Sequence, residues 1–254
     1  MVESETTQDR FLGGRLTLRQ PRDGHRVGLD AALLAACPPA DAAGLALDIG
    51  AGVGAVGLAL AARAPGLAVG LIENDANLAA LARANVAANG LDGRARIFET
   101  DLTSPAARRA AGLVAEGADW ALTNPPFFDP SRHRVASGKT GAHAMPRPGP
   151  EALDIWIRSC FALLRPGGAL CLIHRADALT AVLAACAARG GDLRVLPVRP
   201  REAAAATRVL VRAVKGARAP LTLLPGLVLH DAGGAWRPQA DAVLRGAAAL
   251  DWGV

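Results

Sequence analysis

From residue 44 onward, short apolar runs alternate with longer stretches of helical spacing. Leu45-Ala46-Leu47-Asp48 reads as a buried strand that runs into a glycine-rich turn and then a helix to about Arg63. Residues 67–72 form a second strand closed by Glu73. The helix after it is capped by Asn74 or Asp75 and stopped at Asn89-Gly90. Residues 94–99, 119–122 and 169–173 read as further strands, with a helix over 151–164 stopped by Arg165-Pro166-Gly167-Gly168. A helix over 176–188 and strands at 193–198 and 207–214 complete the series, and the apolar segment 221–229 adds strand or edge structure. Strands alternating with helices predict an α/β fold: a doubly wound, mainly parallel sheet, here of seven strands.

The chain before residue 44 has a different pattern. Residues 1–10 are polar, with acids in Met1-Val2-Glu3-Ser4-Glu5, and read as a disordered tail. Residues 11–40 form a short cap segment. In it Arg15-Leu16-Thr17-Leu18-Arg19 alternates like a half-buried strand, Asp23-Gly24-His25-Arg26 turns, and a helix over 29–37 stops at Pro38-Pro39. Residues 41–254 form one domain. Within it, 129–149 stands apart as a proline-containing basic loop carrying Arg132, Arg134, Lys139 and Arg147. Loops this long inside compact domains are usually lids or disordered segments.

Composition narrows the class. The chain has 254 residues, 51% hydrophobic and 20% charged, enough for one sizeable core. Its longest apolar run, 49–62, is too short for a membrane span, and the N-terminus lacks the apolar stretch of a signal peptide, so the expected location is cytoplasmic. Cys37, Cys160, Cys171 and Cys186 show no metal-ligand spacing and read as core thiols, with no metal expected. A net charge of +5 suits a nucleic-acid partner. Because the excess is mostly arginine in an alanine-rich chain, the local cluster at 129–149 says more, and it fits contact with an RNA backbone.

Two motifs carry chemistry. In Asp48-Ile49-Gly50-Ala51-Gly52-Val53-Gly54, the residues Gly50, Gly52 and Gly54 let backbone approach a ligand. Glu73, about 20 residues further on, is placed to accept from ribose hydroxyls. Asp101 follows the third strand and suits an adenine amino group; Asp48 would hold an ammonium or order the loop. Residues 52–57 also fit G-x-G-x-x-G, which leaves a nicotinamide-dependent (NAD(P)) oxidoreductase open. The second motif is Asn124-Pro125-Pro126-Phe127, at the end of the fourth strand. The prolines restrict their neighbours to extended shapes, so the Asn124 side-chain oxygen and the Pro125 carbonyl form a rigid pair of acceptors, and Phe127 suits stacking on a base. Such a motif has no role in hydride transfer. Together the two motifs point to methylation of an amino group by S-adenosylmethionine (SAM).

The chain resembles class I, Rossmann-like SAM-dependent methyltransferases of the small-domain type. More narrowly, it is similar to the bacterial tRNA(Val) adenosine-37 N(6)-methyltransferase group. The resemblance rests on the glycine loop, Glu73, Asn85 with Asn89, Asn124-Pro125-Pro126-Phe127, and the stretch from Gln20-Pro21-Arg22-Asp23-Gly24-His25-Arg26 through Asp30 to Leu34. It implies that the N-terminal segment caps the cofactor pocket, which makes Arg26 and Asp30 candidate contacts. It further implies adenine N(6) in tRNA, or another structured RNA, as the acceptor. His25 departs from the aromatic residue expected there. Enzymes of the same chemistry that act on ribosomal RNA guanine N(2) or on protein glutamine remain alternatives, although they normally carry an extra N-terminal domain. A SAM-fold RNA-binding protein without catalysis is a further alternative, which the intact Asn124 and Glu73 oppose.

Overall fold

The computed structural model describes residues 5–23, 26–126 and 150–253. The basic loop 129–149, with Arg132, Arg134, Lys139 and Arg147, lies outside the described residues, as do His25 and Phe127. The chain opens with an antiparallel hairpin, β1 (Thr6–Phe11) against β2 (Leu16–Pro21), and then α1 (Leu29–Ala35). The main domain continues through β3 (Gly44–Ile49), α2 (Ala55–Arg63), β4 (Leu67–Glu73), α3 (Ala76–Ala88), β5 (Ala95–Glu99), α4 (Pro105–Ala110) and β6 (Ala118–Thr123). It ends with α5 (Pro150–Leu163), β7 (Leu164–Arg175), α6 (Leu179–Ala187), β8 (Gly190–Arg199), β9 (Arg208–Lys215), β10 (Thr222–Leu223), β11 (Leu227–Val228) and α7 (Pro238–Leu244).

The central sheet runs β5-β4-β3-β6-β7-β9-β8, parallel except for β9, which is antiparallel to both β7 and β8. This is the seven-stranded, doubly wound sheet that the alternation of apolar runs predicts. The two-residue strands β10 and β11 lie parallel along the outer side of β8 and bring the described sheet to nine strands. Side chains alternate between its two faces. On β7, Cys171 and Ile173 join the core that holds Leu33, Leu58 and Val243, while Leu170 and Leu172 join the opposite core with Ile157, Phe161 and Val182.

The N-terminus departs from expectation. Residues 6–10 belong to β1 rather than to the disordered tail that their polar sequence predicts. No β1 position is fully buried, so its period-two signal is weak, and pairing with β2 is what orders it. The hairpin is then docked by side-chain amides standing in for a strand. Asn85 Oδ1 accepts from Arg19 N (2.7 Å) and Asn85 Nδ2 donates to Arg19 O (2.9 Å). Asn89 repeats this two-way contact at Thr17 (3.0 and 2.8 Å). Four residues apart, on α3 and at its C-terminal cap, the two amides match alternate residues of β2 and satisfy backbone groups that would otherwise lack partners. Asn85 Nδ2 also reaches Val53 O (3.0 Å), tying the hairpin to the glycine loop.

Candidate active site

The carboxyl ends of β3, β4 and β6 meet where the sheet order reverses direction, the usual ligand crevice of an open α/β sheet. Gly50, Gly52 and Gly54 all have positive φ (73°, 57° and 88°). At Gly50 a side chain would also be crowded, since an added Cβ would stand 3.1 Å from the Trp156 ring. Gly50 N and Ala51 N both donate to Ile72 O (3.0 Å each). Glu73, 7% exposed, holds the loop from the other side. Its Oε2 accepts from Gly52 N (2.7 Å), and its Oε1 accepts from Asn74 N and Asp75 N (2.9 Å each).

Of the two roles the sequence leaves open for Asp48, ordering the loop is the one its geometry serves. The residue is 2% exposed, and its Oδ2 accepts from Gly57 N (2.8 Å), in the first turn of α2. Gly54 caps that helix without a side chain, so Asp48 supplies the missing acceptor. Burial pushes the Asp48 carboxyl up to about 7; the Gly57 amide opposes the shift and the charge of Glu73 adds to it. A folded-state value above the unfolded 3.8 means that the folded protein keeps a proton the unfolded chain has released. Stability therefore falls as pH rises through the window between those two values and levels off above about 7. Chemical unfolding at stepped pH should show that slope, and Asp48→Asn should flatten it. An equal slope in both proteins would remove Asp48 as its source.

Across the crevice, the end of β6 is locked in place. Thr123, fully buried, donates from Oγ1 to Ile49 O (2.9 Å) and accepts there from Trp156 Nε1 (2.9 Å). This chain of bonds joins β3, β6 and α5 directly under the next residue, Asn124. Asn124 Oδ1 is buried and has no partner among the described residues. A buried acceptor left unpaired costs about 1–3 kcal/mol, so its presence calls for a ligand or a functional reason.

A cleft of about 410 Å³ opens between these parts, within the range of small-molecule sites. Gly50, Gly52 and Asn124 form one side of it, and the cap segment forms the other with Arg26 and Asp30. Arg26 is held by Asp9 (2.8 Å), whose carboxyl also accepts from Gln20 Nε2 (2.8 Å) and Thr7 Oγ1 (2.9 Å). The Gln20 amide, then the Thr7 hydroxyl and the Arg26 charge, hold the Asp9 carboxyl below its usual value. Gln20, 3% exposed, also accepts from Val27 N (2.9 Å), so one buried amide sets the path of the chain into the cleft wall.

The structure thus gathers Gly50, Gly52, Asn124, Arg26 and Asp30 around one cleft. Glu73, Asp48 and Gly54 stand behind the loop rather than in the cleft wall. Asp101 is exposed outside it and accepts from Thr103 N and Thr103 Oγ1 (2.7 Å each). Pro125 and Pro126 follow Asn124 in the chain without lining the cleft, and Phe127 lies outside the described residues. Sequence reasoning missed Arg208, which lines the cleft and donates from Nε to Asp30 (3.0 Å). It also missed Trp156, which braces both motifs from below. Neither residue carries a local signal, because their partners are distant in the chain.

Sheet order, glycine crevice and the acceptor at the end of β6 define a class I, Rossmann-like SAM-dependent methyltransferase. The chain belongs to the methyltransferase small domain family, whose profile matches residues 25–178. It is 34% identical to a tRNA1(Val) (adenine(37)-N6)-methyltransferase of Porphyromonas gingivalis, an alignment covering 84% of this chain and 85% of the relative. Against the protein of that name from Aeromonas hydrophila it is 30% identical, over 75% and 77% of the two chains. Among solved structures, a predicted O-methyltransferase from Agrobacterium tumefaciens superposes with a TM-score of 0.75 at 33% identity, covering 89% of this chain and all of that one. The family decides between the two cofactors that the glycine loop alone leaves open, and the cofactor is SAM. The cleft suits it, because backbone can approach a ligand closely at Gly50 and Gly52. Among the described residues no helix is long and apolar enough to cross a membrane, and no cluster of three metal-binding side chains occurs.

Proposed function

We propose that the chain methylates N(6) of an adenine in tRNA, at the position named for its relatives, adenine 37 of tRNA1(Val). The observation that carries this reading is the unpartnered, buried Oδ1 of Asn124 at the cleft, held rigid from below by Thr123. An exocyclic amine is a weak nucleophile because its lone pair is delocalised into the ring. Two acceptors, Asn124 Oδ1 and the Pro125 carbonyl, would bind its two hydrogens and favour a more pyramidal nitrogen. Bound SAM supplies an electrophilic methyl group. Held in this way, the nitrogen lone pair would face that methyl group, the carbon–sulfur bond would supply the leaving group, and the extra proton would pass to solvent. No strong base is required, so positioning and electrostatics do the catalytic work. Gly50, Gly52, Glu73, Arg26 and Asp30 are the proposed cofactor contacts, and Arg132, Arg134, Lys139 and Arg147 the proposed contacts to RNA phosphates. A protein acting on tRNA belongs in the cytoplasm.

The similar Agrobacterium protein, described as a predicted O-methyltransferase, raises a hydroxyl acceptor as the second reading. A hydroxyl offers a single hydrogen to bind and needs a base to remove it, whereas an amine offers two hydrogens, which the paired acceptors proposed at Asn124 and Pro125 would hold. Methyl transfer from labelled SAM into unmodified tRNA, followed by digestion to nucleosides, tests the proposal. Label in N(6)-methyladenosine is the expected result. Label in a 2′-O-methyl nucleoside, or none in RNA while SAM binding is intact, would overturn it.

A further inference from the structure

The register of the sheet carries the rim of the active site well beyond the cleft. Arg208, at the cleft, pairs across the sheet with Arg175 of β7 and with Val198 of β8. Arg199, the next residue of β8, pairs with Val228 at the end of β11. β6, β7, β8 and β11 all run in the same direction, so the segments after their last residues emerge on one edge, the edge that holds Asn124. From β6 to β11 is four strand spacings, about 19 Å.

The far end of this edge is a small rigid hairpin with no role in the core. His230 and Trp236 face each other across an antiparallel bridge. The turn between them is closed by Asp231 N to Ala235 O (2.9 Å) and by Ala235 N to Asp231 Oδ1 (3.0 Å). Trp236 stacks on His230 with ring centroids 4.2 Å apart, yet 44% of its surface remains in solvent. It is the one aromatic among the large hydrophobic side chains exposed in the described residues. Arg237 follows it and pairs with Glu202, which ties the hairpin to the loop after β8. Arg201 in that loop is exposed and makes no ion pair among the described residues, leaving a cation between the aromatic pair and the cleft.

We propose that this rim is a second contact surface for the RNA substrate, on which an unpaired nucleotide a few positions along the strand from the acceptor stacks on Trp236 while Arg201 meets its phosphate. A rigid aromatic with one face supported, beside a cation and on the edge that holds the reacting atom, is the chemistry that takes single-stranded bases without reading sequence. The inference rests on the reading of the acceptor as RNA.

Trp236→Ala, Trp236→Phe and Arg201→Ala separate the possibilities, with the full-length protein, tRNA and SAM. Trp236→Ala is expected to raise the KM and Kd for tRNA at least about fivefold, the lower bound for one lost base stack, while calorimetric SAM affinity stays at the wild-type value. Trp236→Phe, which keeps a ring, should restore most of the loss. Arg201→Ala should weaken tRNA binding and reduce the salt slope by about one. Unchanged tRNA binding in Trp236→Ala, with normal methylation, would overturn this inference and leave the proposed reaction standing. If the wild-type protein neither binds nor methylates RNA, the reading beneath it fails instead. A wild-type dimer in sedimentation that Trp236→Ala makes monomeric, with tRNA binding unaltered, would assign the patch to a second copy and also overturn it.

Discussion

Asn124→Ala should lower kcat at least about 100-fold while SAM still binds, a loss in the range measured when one preorganised polar contact to a transition state is removed. The expectation follows from where Oδ1 sits. It is buried, lacks a partner among the described residues and stands on a threonine whose hydroxyl is bonded on both sides. An acceptor prepared in this way need not reorganise during the reaction, which is why its removal costs more than an ordinary hydrogen bond. Asn124→Gln keeps the amide but moves it by about a bond length, and misplacement on the order of 1 Å can by itself cost about 100-fold. Both variants should therefore fail, for different reasons. Single-turnover kinetics with saturating SAM measures the chemical step directly. A wild-type rate in Asn124→Ala would refute the paired-acceptor mechanism.

Glu73→Ala should weaken SAM binding at least tenfold and destabilise the fold by about 2–4 kcal/mol, because the carboxylate serves three backbone amides at once. Removing it leaves Gly52 N, Asn74 N and Asp75 N without their acceptor and frees the loop that forms one wall of the cleft. Titration calorimetry and urea unfolding on the same variant separate the two consequences. A loss of stability with unchanged SAM affinity would make Glu73 a support of the loop and remove it from the ribose site.

These two residues differ in how their roles became visible. Asn124 was legible because its proposed role is written locally: the prolines that follow stiffen it, and the apolar run before it places it at a strand end. Glu73 was legible as an acid at the end of β4, but its load was not, because Gly52 is 21 residues away and the contact exists only once the two strands pair. Asp48 shows the same limit more sharply. Its position before the glycines marks it as important, and only the packed helix brings its partner Gly57 within reach. In the cap segment, a weakly patterned stretch expected to be a disordered tail became β1, since its order comes from β2 and, through β2, from Asn85 and Asn89.

The sequence by itself determined the main alternation of strands and helices, the doubly wound sheet, the two motifs and the family, though not β1, α4 or α7, because hydrophobic period, turn residues and short motifs act within a few residues of each other. The tertiary structure decided which residues share the cleft. Arg208 meets Asp30 across 178 residues of chain, Trp156 of α5 meets Thr123 at the end of β6, and Arg26 is set by a cluster on the N-terminal hairpin. The reason is physical. The hydrophobic effect that builds the layers is non-directional and readable from pattern, whereas hydrogen bonds and ion pairs need specific partners that only the finished packing brings within reach.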